Sequence, residues 1–163
     1  MKNVINTKDF WPINQKQARE ICRDIEDTYG PCSSVSRLFV NSYEYPYLSE
    51  CEIGVIDMND LGLVGGKDTF KDVIEKSLEM GYLKVSPHDV LNYIEKLWPL
   101  KFGSMTAIMC IMDEVVDGDG FNGVFYLQPD NFGFLCKLGF FTIDKSRTLS
   151  QTAKFLTKKL IQT

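Results

Sequence analysis

His88 and Cys32 are the residues of this sequence best suited to catalysis. His88 is the only histidine, so any chemistry that needs an imidazole must use it. Cys32 follows a glycine and a proline, a turn composition that favours an exposed thiol. A thiol and an imidazole can form a nucleophilic pair, but Cys32 lies in no local cysteine-enzyme signature. Both are candidate catalytic residues, and we favour the alternative of a surface histidine and an inert thiol.

A glycine-rich turn before a helix start makes Gly65, Gly66 and Thr69 candidate phosphate-binding residues. Free backbone N–H groups and the helix dipole can bind phosphate at such a junction. The spacing does not match a P-loop, because Leu61 stands where the first glycine is required and Asp68 follows the lysine where Ser or Thr is needed. We favour the alternative that the glycines form a structural turn.

Tyr43, Tyr45 and Tyr47 alternate along a segment that also contains proline. In an extended chain, side chains two residues apart lie on the same side, and exposed aromatic rings are typical of protein-binding surfaces. The sequence therefore predicts partner binding at these tyrosines, with packing of the rings over the core as the alternative. No Lys or Arg is interleaved, so stacking on nucleic-acid bases is not expected.

The densest acidic group comprises Asp113, Glu114, Asp117 and Asp119, and its segment Asp117-Gly118-Asp119-Gly120 is comparable with the start of a calcium loop. A calcium loop needs an oxygen ligand at its fifth position and glutamate at its twelfth, where Phe121 and Gln128 stand. An Asp-Gly hairpin turn accounts for the same residues. The five cysteines match no paired zinc-ligand spacing. The sequence thus predicts no metal site and no cofactor.

The net charge is −4, and the segment from residue 145 to residue 163 contains five basic residues and no acidic one. Lys154, Lys158 and Lys159 are therefore candidate contacts for nucleic acid or an acidic partner, and we favour the alternative of a solvated basic face on a terminal helix. The overall charge does not favour nucleic acid. An acidic body with a basic end also permits a homo-oligomer.

The elements that position these residues are expected to form one domain over residues 1–163, with 145–163 as its basic C-terminal segment. The composition, 44% hydrophobic and 25% charged, is that of a soluble globular domain rather than a disordered chain. The apolar runs fall short of the roughly 20 residues of a bilayer helix. The first residues lack a signal peptide's apolar stretch. Buried thiols such as Cys110 fit a reducing compartment, so we expect a cytoplasmic protein without membrane contact.

Hydrophobic patterning predicts an α+β fold, with helices on one face of a mainly antiparallel sheet. Helical spacing between capping and stop signals predicts helices at 15–29, 70–80, 87–98 and 148–161. For the last of these, a terminal strand is the competing interpretation. Strands are predicted at 36–42, 52–58, 104–116, 121–128 and 132–142. The last three would form an antiparallel three-strand meander.

Three local patterns mark the order of these elements: Leu61-Gly62-Leu63 followed by Gly65-Gly66, a helix end at Met80-Gly81, and a helix start at Ser86-Pro87. With these patterns, residues 51–142 resemble a group of small uncharacterised bacterial proteins. In that group the chain continues into a β-hairpin with an Asp-Gly turn, which residues 107–125 match. The resemblance implies an order of elements. It implies no catalytic residue and no substrate.

The sequence as a whole predicts a small acidic binding or regulatory module that acts through protein–protein contacts, because no catalytic set is assembled. Two alternatives remain open. One is a small enzyme that uses Cys32 or His88 near the glycine-rich turn. The other is nucleic-acid contact through the basic C-terminal segment.

Overall fold

The computed structural model describes residues 10–12, 51–86, 89–90, 107–116, 122–129, 136–144 and 146–161. In these ranges the elements are β1 (Phe10–Pro12), β2 (Cys51–Asp57), α1 (Phe70–Glu79), β3 (Ile108–Cys110), β4 (Val115–Val116), β5 (Asn122–Pro129), β6 (Cys136–Phe141) and β7 (Lys154–Leu160). The first residues of a further helix stand at 89–90. The predicted elements at 15–29 and 36–42, and most of the one at 87–98, lie outside the described residues.

The described strands form one sheet in the order β1-β2-β7-β3-β5-β4, and β6 pairs with β5. β3 and β7 run parallel, with Met109 opposite Phe155. The other pairs are antiparallel. The α+β class is therefore confirmed at this level, and the sheet is mixed because the last strand inserts between β2 and β3.

The C-terminal segment forms a strand, so the prediction of a helix at 148–161 is wrong. β7 pairs with β2 over its whole length and with β3 on its other side. Phe155, Leu156 and Thr157 are consecutive and all buried, as expected for a strand inside a sheet covered on both faces. Periodicity alone cannot distinguish such a run from a buried helix. The competing interpretation of a terminal strand is confirmed.

The predicted strand at 104–116 is interrupted within its described part, since β3 and β4 are separated by residues 111–114. Ile111 bonds to two other segments: its N–H donates to the carbonyl of Leu156 at 2.9 Å, and its own carbonyl accepts from Val85 N–H at 2.8 Å. The N–H of Phe125 donates to the sulfur of Met112 at 3.4 Å. The backbone of Ile111 is therefore bonded to β7 and to Val85, and the first strand of the expected meander is interrupted at this residue.

α1 begins and ends where the sequence predicts. Thr69 is its N-cap and forms a capping box with Asp72, an arrangement that satisfies otherwise unbonded N–H groups at the helix start. Gly81, with φ of 91°, follows the last turn in a conformation that favours glycine. Phe70 and Val73 are buried on the inner face of the helix.

The second predicted helix start is also present. Ser86 and Asp89 bond reciprocally: Ser86 N–H donates to Asp89 Oδ2 at 2.8 Å, and Asp89 N–H donates to Ser86 Oγ at 3.2 Å. The N–H of Val90 donates to the carbonyl of Ser86 at 3.0 Å. These bonds form a second capping box, with Ser86 as the cap that the sequence indicates.

The hydrophobic core is built around the sheet, and it includes Val85 and Val90 as well as side chains of α1. It contains apolar side chains from four strands, from α1 and from the turn after β2. Its largest fully buried members are Phe125, Phe155, Ile53, Ile56, Met58 and Leu61. Cys110 is buried in this core, as its apolar sequence context predicts.

Candidate functional site

An open cleft of about 530 Å³ lies beside the N-terminal end of α1. Apolar and aromatic side chains form its floor, and residues 142–153 supply much of its rim. The floor comprises Phe70, Ala107, Met109, Tyr126, Phe141 and Leu149. Its volume falls within the roughly 300–1,000 Å³ that is typical of ligand-binding pockets, which also share this mostly apolar lining.

Three aromatic contacts hold the floor of the cleft in place. The ring centroids of Phe70 and Phe141 lie 6.0 Å apart with planes at 71°, and those of Tyr126 and Phe141 lie 5.8 Å apart. Phe70 also contacts the buried ring of Phe155 at 6.2 Å. Edge-to-face and tilted pairs at these distances are favourable beyond their area burial. The floor is therefore preformed and continuous with the core.

Among the described residues, the rim carries one acidic and one basic side chain, Asp144 and Arg147. Asp144 Oδ1 accepts the N–H of Ser146 at 2.9 Å and its hydroxyl at 2.7 Å. These hydrogen bonds, with the nearby positive charge of Arg147, hold the pKa of the Asp144 carboxyl below its ordinary value. Arg147 is exposed, and no carboxylate of the described residues lies within ion-pair distance of its guanidinium. The rim thus combines a carboxylate that Ser146 and Arg147 stabilise with an exposed guanidinium.

The glycine-rich turn positions the rim through Gln151. The N–H of Gly65 donates to Gln151 Oε1 at 2.7 Å. The amide of Gln151 donates in turn to Asn59 Oδ1 at 2.9 Å and to the carbonyl of Leu63 at 3.3 Å. A Cβ at position 65 would lie 2.3 Å from the backbone nitrogen of Gln151, so only glycine permits this approach.

Further backbone bonds tie the rim to the start of α1. The N–H of Gly66 donates to the carbonyl of Leu149 at 2.8 Å, and the N–H of Leu149 donates to the carbonyl of Asp68 at 3.0 Å. Thr69 and Thr148 form an isolated antiparallel bridge. The rim and the N-terminus of α1 are consequently held as one unit.

The three candidate phosphate-binding residues make internal hydrogen bonds at this junction. The N–H groups of Gly65 and Gly66 donate to Gln151 and Leu149. The N–H and the hydroxyl of Thr69 both donate to Asp72 Oδ2, at 2.8 and 2.9 Å. An incoming phosphate would have to displace these acceptors. The geometry therefore fits the structural-turn alternative.

The three candidate lysines do not form one basic face. Lys158 is buried, and its ammonium lies 2.8 Å from Asp89 Oδ2. Lys159 lies 4.0 Å from a carboxylate oxygen of Glu52. Lys154 is half-buried. On a strand, adjacent residues point to opposite faces, so the basic face expected from helical spacing is absent at these positions.

The remaining candidates, Cys32, His88, Tyr43, Tyr45 and Tyr47, lie outside the described residues, and their roles stay predictions. Within the described ranges, no group of three or more His, Cys, Asp or Glu is placed to hold a metal ion. The same ranges contain no helix with the length and apolarity needed to cross a bilayer.

The cleft is not apparent from the sequence. Its described lining comes from four separated stretches of the chain, at residue 70, at 107–109, at 126 and between 141 and 153, so no local motif marks it. The only signal at Arg147 is its membership of the basic segment. Comparisons with protein-family models, with curated proteins and with solved structures match nothing to this chain.

Proposed function

We propose that this protein is a binding module that acts through protein–protein contacts, and that the cleft receives an apolar side chain of the partner. The observation that carries the proposal is a preformed apolar floor that opens to solvent. Burying apolar surface contributes about 25 cal/mol per Å². Aromatic residues, Met and Arg are enriched at protein interfaces, and the cleft presents Tyr126, Met109 and Arg147 together.

The rigidity of the cleft supports binding. Its floor is held by the ring pairs of Phe141, and its rim is held by Gly65 and Gln151. A preformed site orders few groups when it binds, so less of the interaction free energy is lost as conformational entropy.

Several parts of the proposal rest on the sequence. Tyr43, Tyr45 and Tyr47 form a second contact with the partner, and the protein acts in the cytoplasm as a single domain. Residues 104–142 form the antiparallel three-strand meander that the sequence predicts, with its first strand interrupted at 111–114. A second copy of the chain is a further binding partner that the acidic body and basic end permit.

Filling the cleft tests the proposal. Ala107→Trp places an indole in the floor of the cleft, where Ala107 is half-buried. Leu78→Trp adds the same side chain at a position of α1 that is 43% exposed and outside the cleft lining. The tagged full chain is captured from its native cells, and the proteins that elute are quantified by mass spectrometry.

We expect wild type and Leu78→Trp to retain the same partner at stoichiometric yield. We expect Ala107→Trp to lose it by about tenfold, equivalent to about 1.4 kcal/mol of binding free energy. Circular dichroism checks that both variants remain folded. Equal retention of the partner by a folded Ala107→Trp variant would contradict a role for the cleft.

A further inference from the structure

We infer that the partner segment bound in the cleft carries a carboxylate beside its apolar side chain, and that Arg147 binds this carboxylate. The inference rests on the proposed function, because it specifies the chemistry of the segment that the same cleft receives. The apolar floor binds the apolar side chain of the partner segment, and Arg147 on the rim binds the carboxylate beside it.

Arg147 is the cationic group among the described residues of the rim, and it can bind an anion. Its side chain is exposed, and within the described residues no carboxylate lies close enough to pair with it. Its backbone N–H donates to the carbonyl of Asp144 at 3.3 Å, which fixes its place in the rim turn. A guanidinium presents several N–H donors in a planar fork that matches the two oxygens of a carboxylate.

The acidic side chain of the rim is already bonded within the chain. Asp144 Oδ1 accepts two hydrogen bonds from Ser146, and these bonds stabilise its charged form. Of the described residues that line the cleft, Asp144 and Arg147 are the only charged ones. The positive charge of Arg147 also acts on Asp144, so this carboxylate is already compensated within the chain, whereas the guanidinium donors of Arg147 are bonded by no described carboxylate. The rim therefore favours an acidic segment over a basic one.

The other polar groups of the rim are neutral. Thr142, Thr148, Ser150 and Thr152 supply hydroxyl groups, and Ser150 and Thr152 bond to each other at 3.0 Å. Hydroxyls accept as well as donate hydrogen bonds, so these residues discriminate little between an acid and its amide. Discrimination by charge thus depends on Arg147.

Two matched peptides test the inference. One is N-acetyl-Ala-Phe-Glu-Ala-amide, and the other has Gln in place of Glu, which keeps the size and removes the charge. Binding to the full chain is followed by NMR of ¹³C-labelled methionine methyl groups. Met109 lines the cleft. Met112, which is buried in the core, and Met80, which is exposed outside the cleft, serve as internal controls.

We expect both peptides to shift the Met109 resonance and the Glu peptide to bind about threefold more tightly at low salt, as suits an exposed ion pair. The difference shrinks at high salt because the rim is exposed. Arg147→Gln abolishes the difference between the two peptides. Lys67→Gln, which removes a positive charge at an exposed position outside the cleft lining, leaves the difference intact.

The outcomes separate this inference from the proposed function. If neither peptide shifts Met109, the cleft does not receive apolar side chains, and both fail. If the two peptides bind equally, the inference about Arg147 fails and the cleft remains a binding site. Tighter binding of a third peptide with Lys in place of Glu would overturn the inference in favour of Asp144.

Discussion

The backbone N–H of Gly65 donates to the side-chain oxygen of Gln151 at 2.7 Å, and this contact joins the turn after β2 to the rim of the cleft. The two residues are separated by 86 positions in the chain. Their backbones approach so closely that a Cβ at position 65 would lie 2.3 Å from the nitrogen of Gln151. The glycine therefore positions the site, although it does not belong to it.

Gly65→Ala tests this contact. The added methyl group must displace the backbone at Gln151, so we expect a loss of about 1–3 kcal/mol in the free energy of unfolding and a shift of the Met109 methyl resonance. Gly62→Ala is the control, because its φ of 67° strains an alanine while its added Cβ meets no atom within 4 Å. It should destabilise the turn and leave Met109 unshifted. An unshifted Met109 in Gly65→Ala would contradict the role given to Gly65.

The buried pair between Lys158 and Asp89 predicts a large effect on stability. Lys158→Met leaves the carboxylate of Asp89 buried without its cation, which typically costs about 3–5 kcal/mol. Adding Asp89→Asn removes that charge, so the double variant should be less destabilised than the sum of the two single variants. Denaturant unfolding measures all three.

Lys159→Met is the matched control on the same strand. Its ammonium is 4.0 Å from Glu52 and its side chain is 43% exposed, so we expect a change of at most about 1 kcal/mol. Equal effects of the two lysine substitutions would show that the Lys158–Asp89 contact does not join β7 to the helix start at Ser86.

We expect the pKa of the Asp144 carboxyl to lie below its ordinary value of 3.8. The chief reason is that the hydroxyl and the backbone N–H of Ser146 donate hydrogen bonds to its charged form. Folding lowers this pKa, so the ionised carboxylate stabilises the rim turn at pH values above the pKa that Asp144 has in the unfolded chain. This contribution to stability is lost as the pH falls through the pKa that Asp144 has in the folded protein. NMR titration of the carboxyl carbon should show a higher pKa in Ser146→Ala.

Ser150→Ala is the control for this titration, since Ser150 lies on the same rim and bonds to Thr152. The pKa of Asp144 should not change in that variant. An unchanged pKa in Ser146→Ala would mean that Ser146 does not stabilise the charged form of Asp144.

The cap of α1 predicts a smaller effect. Thr69→Ala removes the hydroxyl that Asp72 N–H bonds at 3.4 Å and that donates to the Asp72 carboxylate. Loss of such a cap typically costs about 1 kcal/mol, whereas Thr69→Ser retains the cap and should change stability little. Thermal unfolding compares the two variants. If they are equally stable, the hydroxyl does not cap the helix.

Local signals in the sequence predicted several elements well. The stop at Gly81 and the cap at Ser86 each depend on a few adjacent residues, and both are present. Asp68 and Thr69 are both possible caps of α1 from the sequence, and Thr69 is the one found. The strand at 52–58 is likewise found within one residue, as β2.

Features that depend on distant contacts were not predictable in this way. β7 has the apolar spacing of a helix and is a strand because β2 and β3 pair with both of its edges. The cleft requires Phe70, Tyr126 and Phe141 to meet from three separate elements, and no pattern within any one element indicates this meeting.

Photo-crosslinking in native cells from the cleft rim tests directly whether the cleft binds a protein partner. p-Benzoylphenylalanine replaces Thr142, which is exposed and lines the cleft, and in a second protein it replaces Leu160, which is 60% exposed at the end of β7. We expect one discrete protein adduct from position 142 and no such adduct from position 160. Adding Ala107→Trp should abolish the adduct from position 142. The same adduct from both positions, or an adduct that Ala107→Trp leaves unchanged, would contradict binding of the partner in the cleft.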